Sequence, residues 1–346
     1  MNMKTYKLKL PLAHPFTISR GTMTTQSSLY VELEHEGATG FGEVTENSFY
    51  GHSLDSIIAS LEKARPLISR YAEQSPEELW SLMRDAVDGD MFALSGLDIA
   101  AHDLKGKRLG VPTWRNWGLN WEDVKHSSFT LGIDTIDKMI EKLYEQPGWK
   151  IYKIKLGTDD DLNIVRQLRD HTNAVFRVDA NCGWTVDQAI ENSKSLAELG
   201  VEFIEQPLAV STSAAEKLRL FENSALPIIA DEDCLVGSDI EKCQGVYHGV
   251  NVKICKCGGL TPAMRMLKHA IRLGMKTMVG CMVESSVGIS GAAQLLPLLD
   301  YADLDGAILL RDEPAEGLSI DNGIVAKPEK PGCGSHVDFG RLSEFL

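Results

Sequence analysis

The sequence predicts an α/β protein built on a TIM-like barrel of eight parallel strands, preceded by an α+β capping domain. Three observations support this fold class. Eight short strand-like runs recur 22 to 28 residues apart, a stretch with apolar residues at helical spacing follows each of them, and the first 120 residues lack this regularity. Parallel strands joined by right-handed helical crossovers close into a barrel when this alternation is sustained.

The N-terminal segment predicts a separate unit over the mouth of the barrel. Residues 3–45 contain two strand-like runs, KTYKLKLPL and SSLYVELEHE, with a turn at GATG. Residues 54–108 have helical character, which is clearest in ALSGLDIAAHDLKGK. We expect residues 1–120 to form the cap, residues 121–319 to form the barrel, and one or two short strands within 320–346 to return to the cap.

The predicted barrel strands each end in a polar residue or glycine. They are SSFTLG near Thr130, IYKIKLG near Lys155, VFRVDAN near Asp179, VEFIEQP near Glu205, PIIADED near Asp231, GVNVKICKCGG near Lys253, KTMVGCMVE near Cys281 and YADLDGA near Asp303. The stretches between them are amphipathic, as in TVDQAIENSKSLAELG, which ends in a glycine typical of a helix C-terminus.

Composition narrows the classes of function. The 346 residues are 43% hydrophobic and 24% charged, a balance that favours a packed globular protein. A formal net charge of −14 without a Lys/Arg cluster argues against nucleic acid as a partner. No run is apolar enough for a signal peptide or a membrane span, and the seven scattered cysteines are expected to be reduced thiols. We therefore expect a cytoplasmic protein without membrane partners, and the composition leaves a homo-oligomer open.

Three carboxylates fall at the same relative position of three consecutive strands. Asp179, Glu205 and Asp231 each follow an apolar run, and the active sites of such barrels are built at the C-terminal ends of the strands. Hard oxygen ligands that converge in this way suit Mg²⁺. The alternative is that each carboxylate caps the following helix or pairs with a surface arginine, but this would require the same coincidence on three consecutive strands.

Lysines flank these carboxylates on two strands. Lys153 and Lys155 alternate with Ile154, so the strand places both on one face. Pointing into the barrel, they are expected to repel each other, and burial with this repulsion should lower the pKa of one enough to make it a base. Lys253 lies on the sixth strand, across the barrel from the second. Strand alternation puts Lys256 on the opposite face, so we predict Lys253 as the second catalytic lysine, with a snorkelling role as the alternative.

This set of residues resembles the enolase superfamily over nearly the whole chain, in particular its muconate lactonizing enzyme subgroup. That subgroup has a Lys-x-Lys on the second barrel strand, carboxylate ligands on the third to fifth and a lysine on the sixth. The stretches VDANCGW, IEQP and ADED resemble its ligand motifs. The resemblance implies a (β/α)₇β barrel with a cap, and Mg²⁺ as the cofactor. The sequence lacks the His-Asp pair of the mandelate racemase branch.

Further positions resemble the dipeptide epimerases of this subgroup. Asp303 and Asp305 in YADLDGA resemble their Asp-x-Asp, and two carboxylates at the barrel mouth suit the α-ammonium of a substrate. HPFTISRG resembles the mobile cap loop, in which Arg20 matches an arginine that contacts the side-chain carboxylate of a C-terminal glutamate. Thr130 and Cys281 match positions that contact the substrate, Cys281 through its backbone.

The resemblance implies an epimerase that inverts the α-carbon of the C-terminal residue of a dipeptide such as L-Ala-D/L-Glu, a murein fragment. One lysine removes the α-proton and the other returns one to the opposite face, while Mg²⁺ and Lys153 stabilise the enediolate. Lys155 would serve one epimer and Lys253 the other. The sequence leaves open the N-terminal residue of the dipeptide, the breadth of specificity and the assignment of each lysine to an epimer.

Several other functions compete with this prediction. The same fold serves o-succinylbenzoate synthases, N-succinylamino acid racemases and cycloisomerases, but their substrates have no free ammonium for Asp303 and Asp305. A metal-dependent hydrolase would need histidine ligands or a second metal, which the strand ends do not offer. A barrel that binds Mg²⁺ and an acidic metabolite without turnover is a further alternative, and retention of both lysines argues against it.

Overall fold

A computed structural model describes residues 1–70 and 75–346. An antiparallel sheet of three strands and four helices make up the N-terminal part. These elements are β1 (Asn2–Ile18), β2 (Gly21–His35), β3 (Ala38–Thr45), α1 (Leu54–Arg70), α2 (Pro76–Ala86), α3 (Met91–Leu109) and α4 (Thr113–Asn116). The predicted helical region is confirmed, except for its residues 71–74, which lie outside the described part of the chain. The sequence prediction of two strands was incomplete, because β3 is a third.

Two glycines explain why β3 gave a weak strand signal. A Cβ on Gly42 would lie 2.0 Å from the carbonyl oxygen of Gly96, and one on Gly40 would lie 2.3 Å from that of Ala100. The strand therefore packs directly on the backbone of α3, and only glycine allows so close an approach. The helix itself begins at Asp90, whose side chain accepts a hydrogen bond from the N–H of Ala93.

The predicted barrel is confirmed as a single eight-stranded sheet whose neighbouring strands are parallel and follow chain order. Its first strand returns to the last, since the N–H of Ser128 donates to the carbonyl of Ala302 at 3.1 Å. The barrel strands are β4 (Phe129–Leu131), β5 (Ile151–Lys155), β6 (Val175–Asp179), β7 (Val201–Glu205), β8 (Ile228–Ala230), β9 (Gly249–Asn251), β10 (Lys276–Gly280) and β11 (Tyr301–Asp303).

Helices follow the strands as the sequence pattern predicts. Those between the strands are α5 (Ile136–Glu145), α6 (Asp161–Arg169), α7 (Val186–Glu198), α8 (Ala214–Asn223), α9 (Asp239–Cys243), α10 (Ile254–Cys257), α11 (Leu260–Arg272), α12 (Ser286–Ala293) and a 3₁₀ turn at Leu296–Leu298. In α7, Thr185 and Gln188 form a capping box, and Gly200 takes a positive φ of 72° just after the helix. Among the described residues, no helix combines the length and apolar character needed to cross a bilayer.

Residues 315–346 follow the barrel strands, and their C-terminal end lies against the N-terminal sheet. They form β12 (Ala315–Glu316), β13 (Ile320–Asp321), β14 (Ile324–Val325), β15 (His336–Val337) and α13 (Phe339–Leu342). The N–H of Lys9 donates to the carbonyl of Phe345 at 2.8 Å, and the ring of Phe339 lies 5.8 Å from that of Phe41. The division of the chain into cap and barrel at the boundaries given above remains a prediction.

Two carboxylates of the N-terminal part of the chain accept hydrogen bonds from the N-termini of two barrel helices. Asp98 on α3 accepts hydrogen bonds from the N–H and hydroxyl of Thr261 at 2.7 and 2.8 Å, at the start of α11. Glu43 on β3 accepts from the N–H groups of Ser285 and Gly288, both at 3.0 Å, at the start of α12. These carboxylates satisfy donors that a helix leaves unpaired in its first turn.

Candidate active site

The three predicted metal ligands come together because their strands are in register. Asp179 and Glu205 end β6 and β7 and are paired across the sheet, and Asp231 directly follows β8. Each offers one carboxylate oxygen within 4.8 Å of the others, and their side chains are at most 1% exposed. The sheet therefore gathers three buried acidic groups at one point of the barrel mouth.

This donor set fits Mg²⁺. All three ligands are hard oxygens, which Mg²⁺ prefers. In an octahedral site with metal–oxygen distances of about 2.1 Å, neighbouring oxygens are roughly 3 Å apart and opposite ones roughly 4 Å apart. The three oxygens, which lie within 4.8 Å of one another, are close to this range, and three protein ligands leave positions for substrate oxygens and water.

Hydrogen bonds from residues at neighbouring strand ends orient the carboxylates or the chain that carries them. Asn181 lies in the left-handed region with a φ of 45°, and the resulting turn brings its N–H to 3.0 Å from an oxygen of Asp179. The amide of Asn251 donates to Glu205 at 2.8 Å, and the N–H of Asp231 donates to the side chain of Gln206 at 2.9 Å. The sequence reasoning did not identify these positioning groups, although all three lie at strand ends.

Lys153 and Lys155 both point into the barrel from β5. The ammonium of Lys153 lies 2.8 Å from Glu205, 2.9 Å from Asp303 and 3.3 Å from Asp179. The ammonium of Lys155 lies 2.6 Å from Asp179. Both lysines are at most 8% exposed, so the strand alternation that predicted a shared inward face is observed.

Two lysines that follow the sixth barrel strand contact Asp231. Lys253 contacts its Oδ2 at 2.9 Å and Lys256 contacts its Oδ1 at 2.5 Å. The prediction that Lys256 faces away from Lys253 is therefore wrong. The strand ends at Asn251, and the helical turn of α10 brings Lys256 back towards the same carboxylate, so strand alternation does not apply there.

Lysine pKa values also differ from the expectation. Burial alone would lower the pKa of Lys153 and Lys253, but neighbouring carboxylates outweigh burial and raise both pKa values well above 10.5. Burial would likewise raise the pKa of Asp179, yet Lys155 and Lys153 outweigh it and lower that pKa. Mutual repulsion of the lysines is thus a smaller effect here than attraction by the acidic groups.

The two aspartates of the eighth strand segment have unequal surroundings. Asp303 ends β11, accepts from the Ser128 hydroxyl at 2.8 Å and faces Lys153, which outweighs burial and lowers its pKa. Asp305 lies beyond the strand, and its Oδ2 accepts from the N–H of Thr130 at 2.6 Å. Burial, with Asp303 as a second cause, raises the pKa of Asp305 to about 7. A cation beside Asp305 would favour its ionised form.

Arg20 lies in the turn between β1 and β2, where it joins three parts of the molecule. Its Nη1 donates to Glu232 at 2.8 Å, and its guanidinium carbon lies 4.1 Å from the ring centre of Phe49. Glu232 follows the metal-ligand position Asp231, and burial raises its pKa, with Asp231 as the next cause. The sequence prediction for Arg20 did not include this partner, which is 212 residues away.

A cavity of about 390 Å³ lies at the barrel mouth. Residues predicted for the substrate and the proton transfer share its wall: Arg20, Thr130, Lys153, Lys155, Lys253, Cys281, Asp303 and Asp305. Apolar and aromatic side chains of the N-terminal part complete it, including Phe16, Ile18, Met23, Phe49 and Tyr50. The cavity thus has an end formed by charged barrel residues and an end formed by the cap, where apolar and aromatic side chains lie among polar ones.

Comparison with protein families identifies this architecture. Residues 135–341 match the model described as "Enolase C-terminal domain-like", and residues 2–118 match "Mandelate racemase / muconate lactonizing enzyme, N-terminal domain". The chain belongs to the enolase superfamily. This confirms the resemblance that the sequence motifs indicated.

Relatives with known names are isomerases. The chain is 48% identical to an L-Ala-D/L-amino acid epimerase of Flavobacterium johnsoniae over 332 residues, covering 96% of this chain and 98% of the relative. It is 36% identical to an L-Ala-D/L-Glu epimerase of Bacteroides thetaiotaomicron, covering 96% and 87%. A dipeptide epimerase of Cytophaga hutchinsonii, solved with Mg and D-Ala-L-Val, superposes with a TM-score of 0.91 at 26% identity, covering 99% of this chain and 97% of that one. This superfamily member is therefore an isomerase.

Proposed function

We propose that this protein is a Mg²⁺-dependent dipeptide epimerase that inverts the α-carbon of the C-terminal residue of an L-Ala dipeptide. The observation that carries the proposal is that Lys155 ends the second of eight barrel strands and Lys253 follows the sixth, so that both line one cavity from opposite sides of the barrel beside three acidic residues. The named relatives from Flavobacterium johnsoniae and Bacteroides thetaiotaomicron support the dipeptide as the substrate class.

Each part of the dipeptide has a group in the cavity that suits it. The α-ammonium suits Asp305, whose Oδ2 is fixed by Thr130, while Lys153 holds Asp303 in place. The substrate carboxylate then lies towards the acidic ligands of the third to fifth strands, next to Lys153. The α-carbon between these two ends is left facing Lys155 on one side and Lys253 on the other.

Proton transfer follows from this position. The unprotonated amine of one lysine takes the α-proton, and the ammonium of the opposite lysine gives a proton to the other face, which inverts the centre. Asp179, Glu205 and Asp231 would hold Mg²⁺, which when bound supplies positive charge next to the substrate carboxylate, where negative charge grows as the proton leaves. Lys153 adds a fixed positive charge on the same side.

The C-terminal residue of the substrate has two candidates. L-Ala-D/L-Glu follows from the match of Arg20 to an arginine that contacts a glutamate side chain. The ion pair between Arg20 and Glu232 favours a broader set of L-Ala-D/L-amino acid dipeptides, because the guanidinium already has a carboxylate partner.

The test is ¹H NMR of the protein with L-Ala-D-Glu and L-Ala-D-Gln, each with Mg²⁺ in D₂O. We expect loss of the C-terminal α-proton signal and growth of the L,L diastereomer with at least one of the two dipeptides. The same samples with EDTA serve as the control and should show neither change. Absence of exchange with both dipeptides, and with a wider set of L-Ala-Xaa dipeptides, would remove the proposed function.

A further inference from the structure

The cationic side chains of the cavity already have acidic partners. Among the described residues that line it, four are cationic, and each has a carboxylate oxygen within hydrogen-bond distance. The pairs are Arg20 with Glu232 at 2.8 Å, Lys153 with Glu205 at 2.8 Å, Lys155 with Asp179 at 2.6 Å and Lys253 with Asp231 at 2.9 Å. A carboxylate on the side chain of a substrate must therefore compete with a protein carboxylate for its partner.

Arg20 is the cation placed to meet that side chain. Its partner Glu232 follows the fifth barrel strand, whereas Asp303 and Asp305 belong to the eighth, so the two groups occupy different sides of the mouth. With the ammonium at Asp305 and the α-carbon between the two catalytic lysines, the C-terminal side chain extends towards the cap. Arg20, Ile18 and Phe49 line that end of the cavity.

Glu232 makes this end unfavourable for a second carboxylate. Its side chain is 1% exposed, and its Oε2 has no hydrogen-bond partner among the described residues. Glu46 lines the same cavity and adds a further negative charge. An acidic side chain brought to Arg20 would meet the buried charge of Glu232, which solvent screens only weakly. A neutral amide of the same size meets no such repulsion.

We infer that Glu232 is a specificity-determining residue, which by occupying Arg20 makes the cavity favour a C-terminal residue with a neutral side chain over one with a carboxylate. The inference rests on the proposed function. L-Ala-L-Glu and L-Ala-L-Gln form a matched pair of substrates, because they have nearly the same shape and differ in one charge.

The experiment compares kcat/KM for this pair in the wild-type protein and in Glu232→Gln, using α-proton exchange in D₂O. Glu232→Gln keeps an acceptor for Arg20 and removes the competing charge. We expect the wild-type protein to use L-Ala-L-Gln at least as well as L-Ala-L-Glu. The ratio of L-Ala-L-Glu to L-Ala-L-Gln should rise at least about tenfold in the variant, mainly because KM for L-Ala-L-Glu falls. Asp187→Asn removes one carboxylate of an exposed ion pair with Arg219 and should leave the ratio unchanged.

The outcomes separate the inference from the proposed function. A ratio within about twofold of wild type in Glu232→Gln, with both substrates turned over, overturns the inference alone. If Glu232→Gln does not fold, the wild-type ratio decides, because a tenfold preference for L-Ala-L-Glu contradicts the inference without any variant. If the wild-type protein exchanges the α-proton of no dipeptide, the proposed function fails and the inference fails with it.

Discussion

The two ends of the cavity are built differently. At the barrel end, Lys153, Lys155 and Lys253 come from strand ends, are at most 8% exposed and contact carboxylates at 2.6 to 2.9 Å. At the cap end, the side chain of Arg20 is 29% exposed and Phe49 is 51% exposed, and both lie between the strands of the cap or in the loop that follows them. Under the proposed function, the strands of the barrel fix the groups for proton transfer, and the turns of the cap carry the groups that would meet the variable side chain of the substrate.

The largest expected effects test the barrel end. Lys155→Met and Lys253→Met should each lower epimerisation by about 10³-fold or more, since each removes one of the two acid–base groups. Each variant should still exchange the α-proton of one epimer with D₂O, and the two variants should act on opposite epimers. NMR with each pure epimer measures this.

Lys194→Met is a suitable control, because Lys194 forms an exposed ion pair with Glu191 on α7 and neither residue lines the cavity. It should keep wild-type rates. Should either of the two catalytic-lysine variants epimerise at more than about a tenth of the wild-type rate, the assignment of two bases would not stand.

A smaller effect is expected at the border between the two ends, where the substrate ammonium is proposed to bind. Asp305→Asn removes the charge that faces the ammonium but keeps an acceptor for Thr130. We expect kcat/KM for L-Ala-D-Glu to fall about 10- to 100-fold, mainly through KM, as for loss of a hydrogen bond to a charged group.

N-acetyl-L-Ala-D-Glu provides the matched comparison, because it has no ammonium. In the wild-type protein, kcat/KM should be much lower for N-acetyl-L-Ala-D-Glu than for L-Ala-D-Glu. In Asp305→Asn, the ratio between these two kcat/KM values should be smaller. If Asp305→Asn lowered kcat/KM by the same factor for both substrates, Asp305 would instead have a structural role.

A further effect is expected at a buried carboxylate near the place where the cap meets the barrel. Glu284 follows the seventh barrel strand, and burial, with Glu43 of the cap as a second cause, raises its pKa from 4.5 to about 8. The folded protein therefore binds this proton more tightly than the unfolded chain does. The resulting stabilisation is fully present below pH 4.5 and is lost as the pH rises through 8.

Thermal melts of wild type and Glu284→Gln at about pH 6 and pH 9 measure this contribution. The variant cannot ionise at this position, so the wild-type melting temperature should fall relative to that of the variant by the equivalent of about 2 to 3 kcal/mol. Asp187→Asn should show the same change in melting temperature between pH 6 and pH 9 as the wild type does. A difference between wild type and Glu284→Gln that does not change with pH would contradict the prediction.

Much of the barrel could be predicted because its signals are local and repeated. The strand period and the three carboxylates at equivalent positions depend only on spacing, and the register of β6 and β7 places Asp179 opposite Glu205 as that spacing implies. Strand β3 was missed for a physical reason. Its Gly40 and Gly42 pack on the backbone of α3, and glycines give no apolar alternation.

The remaining features depend on contacts that no local pattern encodes. Lys256 returns to Asp231 because a helical turn begins after the sixth strand. Glu232 and Arg20 are 212 residues apart, and the raised pKa of Lys153 reflects the sum of several distant charges. The ion pair with Glu232 gives Arg20, which the sequence predicts to contact the substrate side chain, a carboxylate partner within the protein.

The acceptors that Asp98 and Glu43 provide to α11 and α12 have a consequence for engineering by recombination. A barrel produced without its cap would leave backbone donors unpaired at the starts of the two helices that follow the sixth and seventh strands. A chimera with the cap of another enzyme would meet the same problem unless the donor sequence carries acidic residues at the positions of Asp98 and Glu43. Under the proposed function, substrate preference would therefore be more readily transplanted by exchanging the β1–β2 turn and the loop around Phe49 than by exchanging the whole cap.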